Sequence, residues 1–75
     1  MAISTKLQHE LVAILSAGAS LELSAKARLQ HDLVALARAA REGGSQLRLT
    51  DISTRLQHDL LAIARAGNGH VTLLD

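Results

Sequence analysis

Apolar residues along this chain keep two rhythms in turn. At Leu7, Leu11, Ile14 and Leu15, at Leu29, Leu33, Leu36 and Ala37, and at Leu56, Leu60, Ile63 and Ala64 they return every three or four residues, the period of one helix face. At Leu21 and Leu23, Leu47 and Leu49, and Val71 and Leu73 they alternate with polar neighbours, the period of a strand buried on one side. Ala17-Gly18-Ala19, Glu42-Gly43-Gly44 and Gly67-Asn68-Gly69 separate the rhythms and place glycine where a helix C-cap needs positive φ. The pattern predicts helix, turn and strand, three times over.

The heptapeptide Leu-Gln-His-Asp/Glu-Leu-Val/Leu-Ala stands at residues 7–13, 29–35 and 56–62, so one unit is used repeatedly within a single domain, in units of approximately 1–23, 24–49 and 50–75. Leu7, Leu29 and Leu56 are 22 and 27 residues apart, and Leu21, Leu47 and Val71 are 26 and 24 apart. These periods belong to stacked helix-and-strand repeats. Ser4 and Ser53 are hydroxyl N-cap candidates for the first and third helices, and Ser24 for the second.

Advancing about 100° per residue from the leucine that opens each heptapeptide puts the helical residues above on one stripe, the expected core. Val12, Val34 and Leu61 fall on one flank and the pairs Ala13 and Ala17, Ala35 and Ala39, and Ala62 and Ala66 toward the other. A bulky flank on one helix can therefore nest against an alanine flank on the next. Ala35 is expected on that close-contact flank, with Gln30 at a boundary that has room to adjust. Helices joining successive strands impose parallel pairing in the order 1-2-3, with every helix on one side of the sheet. Ser20, Glu22, Ser24, Gln46, Arg48, Thr50, His70 and Thr72 then line the open face, with Glu22 roughly opposite Arg48. The expected fold is α/β, a short parallel sheet covered by helices on one face. Because the strands are short and leucine-rich rather than β-branched, an all-α three-helix bundle stays open as the alternative.

The Leu-x-Leu or Val-x-Leu strands, each in a unit with an apolar-spaced helix, resemble the helical class of leucine-rich repeats. Where that family places Asn or Cys a few residues after the strand, this chain has Lys26 and Ile52. The resemblance implies a binding scaffold whose open sheet face meets a protein partner.

Composition sharpens this picture. With 75 residues, no cysteine and no aromatic residue, the core consists of Leu, Ile, Val and Ala without disulfides or thiolate metal sites. A domain this small commonly gains burial by oligomerising, so a homo-oligomer is expected. A net charge of +1 gives no general pull toward polyanions, and no apolar run is long enough for a membrane span. No signal peptide is visible at residues 1–10, which makes a cytoplasmic setting the expectation.

The chemistry-bearing residues have plain structural roles. His9, His31 and His58 repeat in register, about 200° from the core stripe on the solvent side of separate helices. Helix axes about 8 to 10 Å apart do not bring three such rings within about 2.1 Å of one zinc ion, so no metal site is assigned. Lys6 and Glu10, Arg28 and Asp32, and Arg55 and Asp59 are expected as solvated i,i+4 pairs. Arg38, Arg41 and Arg65 sit near helix C-termini, where a cation complements the dipole. With Arg28 and Arg55 they supply a second reading, a nucleic-acid-associated module using helix-surface arginines. Interleaved acidic residues and the lack of a base-stacking aromatic put that reading second. Ser53, Thr54, Asp51 and His58 lie close in sequence without a nucleophile, base and orienter in evident convergence, so no enzyme and no cofactor is expected. The expected function is a small protein-interaction or self-assembling repeat module, with Val12, Val34, Leu61, Glu22, Arg48 and Thr72 as its candidate contact residues.

Overall fold

Three helices and three strands alternate along the computed structural model, which describes residues 7–75: α1 (Gln8–Ser16), β1 (Leu21–Ser24), α2 (Gln30–Gly43), β2 (Leu47–Thr50), α3 (Gln57–Gly67) and β3 (Val71–Leu73). Short 3-10 turns at Ala25–Ala27 and Ile52–Thr54 lead from β1 and β2 toward the following helices. The strands are parallel in the order β1-β2-β3, and the register pairs Leu21 with Leu47 and Val71, and Glu22 with Arg48 and Thr72. The α/β arrangement holds, and the three-helix bundle is excluded by the hydrogen-bonded sheet. Among the described residues, no helix is long and apolar enough to cross a membrane.

The core lies between the two layers. Leu11 and Leu15 of α1, Leu33, Leu36 and Ala37 of α2, and Ile63 of α3 meet Leu23, Leu47 and Leu49 from the sheet, all essentially without solvent contact. Residues at the ends of the stack are less covered: Leu60 on α3, Leu21 on β1, and Val71 and Leu73 on β3 are half-buried. Alternation along the strands leaves Glu22, Arg48 and Thr72 exposed on the uncovered face.

One expectation fails at the same place in every unit. Leu7, Leu29 and Leu56 are 62%, 64% and 62% exposed, not core. Each is an N-cap with extended backbone (φ −69°, −78° and −73°), so it lies outside the helix and the 100° advance does not govern where its side chain points. The serine caps shift accordingly. Ser24 accepts a hydrogen bond from the Lys26 N–H and caps the 3-10 turn rather than α2, while Ser53 lies within the second 3-10 turn. Ser4 and Lys6 lie outside the described residues. At α1 the Leu7 N–H donates to the Glu10 carboxylate at 3.0 Å, which gives Glu10 a capping role beyond the surface pair expected of it.

The unequal repeat lengths have two sources. Helix α2 has 14 residues against 9 in α1 and 11 in α3. Its last turn crosses the end of α1 so closely that a Cβ on Gly43 would collide with the Leu15 carbonyl oxygen, and Gly44 then takes the left-handed conformation (φ 69°) that ends the helix. The link after β2 carries an additional residue, Asp51, also left-handed at φ 58°. Its carboxylate accepts from Ser24 Oγ at 2.7 Å and Thr50 Oγ1 at 3.5 Å, contacts that hold a conformation costing an L-residue about 1 to 2 kcal/mol.

Candidate interaction surfaces

The helix layer is joined by a polar ladder built from the repeated Gln and the basic residue two places before it. Gln8 Nε2 donates to the Asp32 carbonyl oxygen at 3.0 Å, and Gln30 Nε2 to that of Asp59 at 2.9 Å. In return Arg28 Nη1 donates to Gln8 Oε1 at 3.4 Å and Arg55 Nη1 to Gln30 Oε1 at 3.3 Å. Arg55 Nη2 also donates to the carbonyl oxygens of Ala25 and Arg28. Each glutamine thus reaches forward one unit and each arginine backward one unit. Gln8 and Gln30 are half-buried, but Gln57, at the end of the row, is exposed.

This ladder was missed in the sequence. Arg55 reaches back across the preceding unit and is half-buried, in place of the solvated pairing with Asp59 that its i,i+4 spacing suggests. Gln30 is a bonded rung, half-buried and held at both ends of its amide. The available signal was the recurrence of Lys-Leu-Gln at residues 6–8 and Arg-Leu-Gln at 28–30 and 55–57. Since Arg55 is committed to backbone carbonyls and Arg28 to Gln8, these cations are poor phosphate contacts for the nucleic-acid reading.

The bulky flank of the helices shows the same gradient as the ladder. Val12 and Val34 are half-buried against the core inside the chain's own helix layer, whereas Leu61, in the same position on α3, is 41% exposed. On the opposite flank Ala17 just past α1 is exposed, Ala39 on α2 is buried and Ala66 on α3 is half-buried, whereas of their pair partners Ala35 is half-buried and both Ala13 and Ala62 are exposed. Of the three flank residues proposed as contacts, Leu61 is the one left open to a partner.

Between α2 and α3 the outer surface forms an open groove of about 590 Å3 lined by Gln30, His31, Val34, Ala35, Arg38, His58, Asp59 and Ala62. Val34 from α2 and Ala62 from α3 line the same groove, so the bulky and alanine flanks face each other there across open space, with Ala62 exposed and Ala35 half-buried. His31 and His58 rise from its rim, each with Nε2 3.3 Å from the carboxylate of the next residue, Asp32 or Asp59, and with about three-quarters of the side chain in solvent. His9 is exposed too. Among the described residues no three His, Cys, Asp or Glu side chains converge as metal ligands.

On the sheet's open face Arg48 Nε lies 3.5 Å from Glu22 Oε1, both side chains more than half exposed, with Thr72 next in the row. His70 Nδ1 is 2.9 Å from the Ser45 carbonyl oxygen. A carbonyl can only accept, so Nδ1 carries the hydrogen and the other ring nitrogen is left as an acceptor when the ring is neutral. Ser45 itself is buried, its Oγ donating to the Leu15 carbonyl oxygen at 2.9 Å and tying the turn before β2 to the end of α1.

The exposed apolar surface concentrates on the helix layer. Leu7, Leu29 and Leu56 stand in corresponding places along its N-terminal rim, and Leu61 stands on its free flank. No protein-family model, curated protein or solved structure matches the chain.

Proposed function

We propose that this chain is a protein-binding repeat module that associates with its own copies and carries no catalytic machinery. The observation that carries the reading is the regular exposure of large aliphatic side chains: Leu7, Leu29 and Leu56 at 62–64% and Leu61 at 41%. Scattered exposed leucines need no explanation, but leucines repeated in place along one rim are a surface that water solvates poorly and another protein can cover. The candidate contacts Glu22, Arg48 and Thr72 give the sheet face a polar surface of mixed charge, suited to the edge of such a contact. The likeness of the sequence to leucine-rich repeats supports a binding role, and a cysteine-free chain suits a reducing, cytoplasmic setting. Light scattering across micromolar to millimolar concentrations is expected to show a mass that rises above one chain. A mass of one chain throughout that range overturns the self-association.

A further inference from the structure

The two ends of the stack are copies of surfaces that the chain joins twice internally. At the α1–α2 and α2–α3 boundaries, the earlier helix contributes a glutamine and a bulky flank residue, Gln8 with Val12 and Gln30 with Val34. The later helix contributes a backbone carbonyl, Asp32 or Asp59, and an alanine flank whose C-terminal member is covered, Ala39 buried and Ala66 half-buried, while Ala35 is half-buried and Ala62 stays exposed. The outer side of α3 ends in the donor half of that pattern, with Gln57 and Leu61 exposed. The outer side of α1 ends in the receiving half, with Ala13 and Ala17 exposed and Glu10 in the place of Asp32 and Asp59.

Resting on the reading of self-association, we infer that a second copy of this chain docks head to tail, its α1 and β1 continuing the stack beyond α3 and β3. Gln57 donates to the Glu10 carbonyl of the next copy, and Leu61 faces its alanine flank, Ala13 and Ala17. The sheet continues in the register already used inside the chain. The backbone N–H groups of Leu21 and Leu47 donate to the carbonyls of Gln46 and His70, the residues before the next strand, so the Val71 N–H meets the Ser20 carbonyl of the next copy. Thr72 then lies beside Glu22 of that copy, which extends the row Glu22, Arg48, Thr72 without placing like charges side by side. A two-fold contact through the β1 edges lacks that benefit, because it brings two Glu22-bearing strands together, and one through α3 sets Leu61 against Leu61 with no alanine flank to receive it. A head-to-tail contact does not close at two copies, so the native chain is expected as a series of sizes or a ring.

Complementary blocking tests this geometry. Leu61→Arg closes the donor end and Ala17→Arg the receiving end, because the equivalents of Ala17 at the internal boundaries, Ala39 and Ala66, are covered; Leu61 and Ala17 are exposed, so each variant is expected to keep the native circular dichroism and thermal melt. Sedimentation velocity should show each variant alone as a monomer, and an equimolar mixture as a 1:1 dimer and nothing larger. That mixture can form one interface, between the unmodified α3 of one chain and the unmodified α1 of the other. A mixture that stays monomeric while the native chain associates overturns the head-to-tail register and leaves self-association standing. Dimers of Ala17→Arg alone also overturn it, in favour of a two-fold contact through α3. A native chain that remains monomeric overturns both.

Discussion

Gln30 and Gln57 occupy the same place in successive units and meet opposite surroundings. Gln30 lies between two helices, donating to the Asp59 carbonyl and accepting from Arg55, while Gln57 faces solvent. Val34 and Leu61 differ in the same way, half-buried in one unit and 41% exposed in the other. The difference shows that a residue's role here is set by whether another unit follows it. A single unit exposes the faces it uses for stacking, and burial spreads from the middle unit outward.

The contrast between the middle and the end of the stack predicts graded effects. The largest belongs to Leu33→Ala, which removes a fully buried side chain from α2 and is expected to lower stability by about 2 to 5 kcal/mol. For a domain of this length, total stability is roughly 4 to 11 kcal/mol, so this variant approaches unfolding in urea-titration experiments. Leu61→Ala should cost a single copy less than about 1 kcal/mol. Equal losses for the two leucines would erase the distinction between centre and end.

Next comes the alanine flank. Ala39→Leu adds bulk at a buried site and is expected to cost about 1 to 3 kcal/mol in thermal denaturation, whereas Ala17→Leu at the exposed end of α1 should leave the single-copy fold within about 0.5 kcal/mol of native. Similar melting for both would mean that α1 and α2 do not meet closely through alanine. The ladder gives the third test. Gln30→Leu strips a hydrogen bond from the Asp59 carbonyl and an acceptor from Arg55, an expected loss of about 1 to 2 kcal/mol, against little change for Gln57→Leu below the concentration at which copies associate. The smallest effect lies on the open sheet face. A double-mutant cycle on Glu22→Ala and Arg48→Ala should give about 0.2 to 1 kcal/mol of coupling, most of it lost at high salt, because both groups are solvated. A larger, salt-insensitive coupling would mean that this face is covered.

Much of the scaffold is legible in the sequence because alternation and helical spacing are direct records of burial. Leu21, Leu47 and Val71 align as expected, and Glu22 meets Arg48 across parallel strands. The failures lie where periodicity carries no information. Taking Leu7, Leu29 and Leu56 as core assumed that the helix begins at the repeated heptapeptide, but these residues precede the helices with extended backbone, and their side chains turn outward. Arg28 and Arg55 were read along their own helices as partners of Asp32 and Asp59, yet their side chains cross to the preceding unit. Contacts between units depend on lateral position in the stack, which spacing along one helix does not encode. Among the candidate contacts, Val12 and Val34 are used internally while Leu61 is open, a distinction between identical repeat positions that needs the order of units in space.

The two layers also advance at different rates. Paired strands in a sheet lie about 4.8 Å apart, whereas packed helices need about 8 to 10 Å. With layers roughly 10 Å apart, each unit is therefore a wedge of about 18 to 30°. The layer joined by Gln8, Arg28, Gln30 and Arg55 forms the wide outer side, and the row Glu22, Arg48 and Thr72 lies on the narrow inner side. These spacings give three units an arc of about 55 to 90°, and copies added in the same register would come full circle, as a ring or one turn of a coil, after roughly four to seven chains. The polar strand face then lines the hollow, and the leucine rim lies along one edge.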